Sequence, residues 1–250
     1  MSLALEKAIN LLNLVAGGNT SLGALAKISG QSRSTTHRLL ATLVDANLLH
    51  LEDREYSLGN RIFELGEIKR RSMSFLDSAR PIMLRYAETT GDTIHLAVLD
   101  GQEIMLLERC FGNRQLRINS YPGLRNRAIM TAVGKALIAH QVPLDGWRDM
   151  VSNLPPDYSK TAEQILADLH NARKTNTAID FNECNLGTCG IASTFATADG
   201  KRLACSINGA TVYFPETRML ELRPVVHQLA QDLSEALAQQ SASDMQPRSL

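Results

Sequence analysis

Residues 32–38, Ser-Arg-Ser-Thr-Thr-His-Arg, gather four hydroxyls, two guanidiniums and an imidazole, with leucines at helical spacing just behind them. Ser and Thr gain nothing from intrinsic helix propensity. A helix that opens this way is therefore read by what its first turns touch. Hydroxyls and free helix amides suit phosphate, and arginine suits guanine or phosphate. Small side chains let a helix sit deep in the major groove of DNA. The alternative for this stretch alone is a capping run followed by a solvated arginine.

Other chemistry is sparse. No G-x-S-x-G, phosphate loop, dinucleotide fingerprint or metal-ligand cluster occurs in the sequence. Residues 131–136, Thr-Ala-Val-Gly-Lys-Ala, contain Gly-Lys but lack the glycine spacing of a phosphate loop. His95 stands in mid-strand and reads as a satisfied core histidine, with a catalytic role as the alternative. Cys184 and Cys189 flank a loop, which leaves a redox pair open. With Cys110 and Cys205 they show no C-x-x-C and no histidines at metal spacing, so reduced, mostly buried thiols are expected. No cofactor is expected.

The elements around residues 32–38 decide between the two readings. Leu5, Ala8, Ile9, Leu12 and Val15 form a helical stripe flanked by Leu11 and Leu14, closed by Gly17 and Gly18. A second helix starts at a Thr20 or Ser21 cap, buries Leu22, Leu25, Ala26 and Ile28, and exits through Gly30. The third runs from about Ser32 to Ala46, with Leu39, Leu40, Leu43 and Val44 inward and Arg33, Ser34, His37, Arg38 and Thr42 outward. Residues 48–59 read as a hairpin around Glu52–Glu55. Three helices and a hairpin in this order predict a winged helix-turn-helix. Residues 1–75 hold nine Lys plus Arg against seven Asp plus Glu. The acidic wing tip predicts that the helix contributes more phosphate affinity than the wing.

The remainder predicts an α+β fold. Residues 60–78 read as a helix with Ile62, Phe63, Leu65 and Ile68 on an apolar face, punctuated by Pro81 and followed by a second helix to Glu88. Strand, Asp-Gly turn, strand is expected over residues 93–110 and again over 190–210, with another strand at 116–123. Helices are expected at 131–141, with free amides at its start, at 161–176, and from Pro215 to about Gln240. The boundaries are 1–60 for the winged helix, 61–78 for a linker helix, 79–240 for the second domain and 241–250 for a disordered tail.

Composition bounds the class. The chain has 250 residues, 44% of them hydrophobic, and a formal net charge of zero. It can build real cores, and any polyanion must be held by a local basic face. No apolar run approaches the roughly 18 residues of a membrane span. The start carries acids within its apolar pattern, unlike a signal peptide. A soluble, cytoplasmic protein with no membrane partner is expected.

Residues 2–15, 32–43 and 54–66 resemble the N-terminal half of the IclR family of bacterial transcription regulators. Arg33, Ser34, Thr35, Arg38, Leu39 and Leu40 fall on the family's helix motif, and Tyr56, Leu58 and Gly59 on its wing motif. The implied DNA contacts are Ser32, Arg33, Ser34, Thr35, His37, Arg38 and Thr42, with Arg54 and Tyr56 on the wing. Gln31 replaces a usually apolar turn residue, and Gly23 and Ala24 replace a helix former and a capping-box Glu. A slightly less stable second helix follows from these changes.

The resemblance extends over about residues 3–240. Its second half rests on residues 91–104, 123–139 and 178–192, with Asp180, Glu183, Gly187, Ile191 and Ala192 on the family signature. It implies a GAF-like antiparallel-sheet effector domain whose cavity holds a small organic acid. The carried-over lining is Thr131, Ala132 and Val133 at a helix start, Asp180, Gly190, and Ser206 with Asn208. Asn176 replaces a glycine and is the next-best residue for a left-handed turn. Gly190 stands where a larger residue is usual and Asn208 where serine is. Arg127 replaces a frequent proline. Together Gly190 and Asn208 predict a reshaped pocket with more room, and Glu183 serves either the loop or the ligand. The implied function is a ligand-responsive regulator, a repressor of a catabolic operon, that binds a palindromic double-stranded operator as a homodimer or dimer of dimers. The rivals are a GAF-like enzyme with a vestigial DNA domain and a constitutive DNA-binding protein with a closed pocket.

Overall fold

A computed structural model describes residues 3–152, 154–155 and 158–244. The chain divides into two compact units, residues 1–74 and 75–250.

The first unit holds α1 (Leu3–Ala16), α2 (Leu22–Ser29), α3 (Arg33–Asp45), β1 (Leu49–Glu52), β2 (Glu55–Leu58) and α4 (Asn60–Arg71). Local chemistry sets the boundaries. Ser21 caps α2 by accepting from the Ala24 amide, and Gly30 leaves it at φ 67°. Ser32 caps α3 by accepting from the Thr35 amide. In the hairpin, Asp53 and Arg54 both take positive φ, 50° and 68°, the geometry of a two-residue turn that matches strand twist. The core joins Leu11, Val15, Leu25, Leu40, Leu43, Leu49 and Tyr56. Of the expected α1 stripe, Ala8, Leu12 and Val15 pack on this core with the flanking Leu11 and Leu14, while Leu5 and Ile9 are exposed. Either edge of the stripe satisfies helical spacing, and only packing against α3 chooses between them. On α2, Leu25 is buried and Ile28 is exposed.

The second unit holds α5 (Phe75–Thr90), β3 (Thr93–Asp100), β4 (Glu103–Cys110), β5 (Arg125–Arg127), α6 (Ala132–Gln141), α7 (Trp147–Val151), α8 (Ala162–Thr175), β6 (Ala178–Phe181), β7 (Thr188–Ala196), β8 (Arg202–Ala210) and α9 (Glu216–Asp244). Six strands form one antiparallel sheet in the order β5-β4-β3-β8-β7-β6. α6 and α8 cover one face and α5 and α9 pack on the other.

Four expectations change. The helix expected over 60–78 stops at Arg71, and the next begins at Phe75 and runs through Pro81. Leu76, Ala79, Met83 and Ala87 bury one stripe of α5 against α9, which outweighs the backbone bond that proline loses. Residues 116–123 are not a strand. Gly123 turns at φ 91°, the first backbone bonds to β4 are those of Gly123 and Leu124 with Leu106, and the strand itself starts at Arg125. β6 was not foreseen. Finally, α9 continues to Asp244, so residues 241–244 are helical, and residues 245–250 of the expected tail lie outside the described residues.

Candidate functional site

The first unit presents the exposed face of α3. Arg33, Ser34, His37, Arg38 and Thr42 are exposed, and Thr35 is half-buried. Ser32 is exposed but committed: its hydroxyl accepts from the Thr35 amide (3.2 Å) and donates to Thr35 Oγ1 (2.9 Å). Thr36 is fully buried and donates to the Ser32 carbonyl (3.0 Å). Thr42 donates to the Arg38 carbonyl (3.1 Å). Arg54 lies exposed at the wing tip. Tyr56 does not belong with this set. Its side chain is buried in the core with Leu25 and Leu40, because its strand position faces the helices. Its ring anchors the wing instead of offering a surface.

In the second unit a cavity of about 60 Å³ lies over the α6 face of the sheet. Strand register builds its floor. Asp180, Gly190, Asn208 and Thr93 stand in one row across β6, β7, β8 and β3. Ala178, Ala192, Ser206 and His95 form the next row on the same face. The first turn of α6 forms a wall. Thr131 caps that helix by accepting from the Gly134 amide (3.0 Å), so the free donors of its first turn are those of Ala132 and Val133. Residues 118–120 and Leu124 close another side.

Of the expected lining, Thr131, Ala132, Val133, Asp180 and Asn208 border the cavity. Gly190 and Ser206 do not, because the Asn208 carboxamide covers both. A Cβ on Gly190 would meet Asn208 Oδ1 at 2.2 Å, while Asn208 Nδ2 donates to Ser206 Oγ (2.7 Å). The space expected from Gly190 is filled by the protein itself. Residues not foreseen as lining are His95, Ser120, Cys184 and Cys189 among others. His95 was legible as an inward strand residue, whereas residues 118–120 were expected within a strand and lie instead in the irregular segment before β5.

Electrostatics define what this cavity can hold. Among the described residues no lysine or arginine lines it. Burial raises the Asp180 carboxyl to about 6, even though the Glu183 and Cys184 amides donate to its Oδ1 (3.0 and 3.4 Å). Burial, helped by the nearby Arg109 charge, drops His95 to about 4; its Nε2 shares a 2.8 Å hydrogen bond with Ser120 Oγ. Burial pushes the Cys184 and Cys189 thiols up to about 12. The cavity lining therefore combines backbone donors, one carboxyl and neutral groups.

Glu183 points away from the cavity. Both its oxygens accept from Lys135 Nζ at 2.7 Å, Oε2 accepts from the Tyr158 hydroxyl at 2.6 Å, and Lys160 lies 3.0 Å from Oε1. Lys135 is fully buried and also reaches Asp168 at 3.3 Å. Glu183 thus serves the loop that follows β6. All four cysteines are free.

A winged helix-turn-helix unit joined to a sheet unit with its own cavity is the plan of a bacterial transcription regulator. Residues 4–53 match the family described as IclR helix-turn-helix domain, and residues 70–235 match Bacterial transcriptional regulator IclR C-terminal. The chain belongs to the IclR family. It is 28% identical over 243 residues to the HTH-type transcriptional regulator BhcR of Paracoccus denitrificans, covering 94% of this chain and 87% of that one. It is 26% identical to the HTH-type transcriptional repressor AllR of Escherichia coli, covering 94% and 90%. A solved IclR homolog from Microbacterium hydrocarbonoxydans, complexed with 4-hydroxybenzoate, shares the fold with a TM-score of 0.78 at 20% identity, covering 94% and 98%. Among the described residues no helix is long and apolar enough to cross a membrane.

Proposed function

We propose that the chain is a ligand-responsive repressor that docks α3 in the major groove of a palindromic operator as a homodimer, and whose cavity takes a small organic acid. The observation that carries this reading is that the first-turn residues Ala132 and Val133 line the same cavity as Asp180, with no lysine or arginine among the described lining residues. Helix-start amides favour an anionic group. Asp180 favours a hydroxyl or ammonium on the same ligand, since a bare acid beside it would be repelled. One water needs about 10–15 Å³, so about 60 Å³ suits an acid of a few heavy atoms. A compact hydroxy or amino acid fits better than a bulky one.

The relatives support this reading. One is named a repressor, and the solved homologue holds an acid that also carries a hydroxyl. Coupling between such an acid and DNA is a free energy of about 1–3 kcal/mol in typical regulators. The enzyme alternative draws less support, because His95 and the two cavity thiols are held neutral by burial. Calorimetry with lactate, glycerate, alanine and serine, beside a gel-shift assay, tests the reading. Expected is one class that binds wild type, fails on Asp180→Ala and releases DNA. An acid that binds equally well to Asp180→Ala, or leaves DNA binding unchanged, overturns it.

A further inference from the structure

The first two turns of α1 and the α2–α3 turn enclose an open groove of about 530 Å³, bordered by Leu3, Lys7, Asn10, Gln31, Ser32 and Thr35. Leu3, Lys7 and Asn10 follow one another at steps of four and three, so they share one helix face. Lys7 is half-buried, and no carboxylate lies within ion-pair distance of it among the described residues. Gln31 Oε1 is buried without a hydrogen-bond partner. That oxygen is an acceptor, so it contributes nothing to holding an anion. Ser32 and Thr35 tie this groove to the first turn of α3.

We propose that this groove seats a backbone phosphate of the DNA on which α3 docks, with Lys7 as the cation and Asn10 as a hydrogen-bond donor. The inference rests on the DNA-docking reading of α3. A helix is about 10–12 Å across and the major groove about 12 Å wide. Whatever flanks the first turn of a docked helix therefore lies at the phosphate rim. Phosphate and sugar take half to two-thirds of protein–DNA hydrogen bonds, and such contacts fix register. The groove lies beside the exposed Arg33–Arg38 face. Glu6 borders the same groove and opposes the anion, so it limits the affinity of the seat.

The test uses the full chain and a labelled 30-base-pair duplex of mixed sequence, followed by fluorescence anisotropy from 50 to 200 mM salt. Each phosphate contact contributes about 0.9 to the salt slope. Lys7→Gln should weaken binding about five- to tenfold and lower the slope by about one. Lys7→Arg should restore both, and Glu6→Gln should tighten binding. Arg38→Gln, on the exposed face of α3, should also lower the slope. An unchanged slope in Lys7→Gln with a lowered one in Arg38→Gln overturns the seat and leaves α3 docking intact. Unchanged slopes in both variants overturn the docking of α3 and the seat with it.

Discussion

Asn208 Oδ1 occupies the place where a side chain on Gly190 would begin, 2.2 Å from the ideal Cβ position. The two residues are directly paired across β7 and β8, so the absence of one side chain and the length of the other are a single feature. Gly190→Ala must therefore move Asn208 off its bond to Ser206. Overpacking of this kind costs about 1–3 kcal/mol. Adding Asn208→Ser should recover most of that loss, since the obstructing amide is gone. Trp147, the only tryptophan and fully buried in the second unit, gives the readout in urea denaturation. Equal losses in the single and double variants would mean that the contact carries no energy.

Asp180 predicts an unusual pH dependence. Its folded-state value of about 6 lies above the ordinary 3.8, with burial as the first cause. The folded protein then binds this proton more tightly than the unfolded chain. The stabilising contribution is full below about pH 4 and is lost as pH rises through 6, the reverse of a salt-bridged carboxylate. Lys135 and Glu183 act on the group with opposite sign, lowering and raising it. Asp180→Asn keeps an acceptor for the Glu183 and Cys184 amides without the charge. It should raise stability at pH 7.5 by about 1–3 kcal/mol and have little effect at pH 4. Destabilisation at pH 7.5 would show that the carboxylate is net favourable in place.

Lys135 and Glu183 form a buried ion pair at the loop that follows β6, and removing one partner strands the other. Such losses run to about 3–5 kcal/mol. Lys160 and Tyr158 also hold Glu183, which places Lys135→Met near the lower end. Lys135→Met with Glu183→Leu should cost less than the two single changes added together, and a double-mutant cycle by denaturation measures the coupling. Simple additivity would indicate that the two charges are independently solvated.

What was legible in the sequence was what local chemistry decides. The Ser32 cap, the left-handed Gly30 and the Asp-Gly turn at residues 100–101 each depend on a few adjacent residues, and they fixed the helix-turn-helix and the β3–β4 hairpin. The carboxyl in the cavity was readable through Asp180 only by resemblance. What was not legible depends on partners distant in the chain. The α1 stripe could turn either way until α3 packed on it. Tyr56 alternates with polar neighbours in a short exposed hairpin, and its inward face is set by the helices beneath. Lys135 lies in a helix buried on every side, so its charge required Glu183 from a loop after β6. The filling of Gly190 by Asn208 exists only once β7 and β8 are in register.

α4 predicts the oligomeric state. None of its 12 residues is buried. Ile62, Leu65 and Ile68 repeat at steps of three, with Phe63 beside them, and Phe63 and Ile68 are 72% and 61% exposed. A helix gains most of its stability from packing an apolar face, and burying a large apolar side chain contributes about 1.5–3 kcal/mol. A second copy that offers the same stripe satisfies both faces at once, as two-fold interfaces do. The chain should therefore sediment as at least a dimer at micromolar concentration. Phe63→Glu with Ile68→Glu should yield a monomer with unchanged circular dichroism and non-cooperative binding to a duplex carrying two half-sites. A wild-type monomer removes the dimer altogether. A substituted chain that stays dimeric places the interface on another surface.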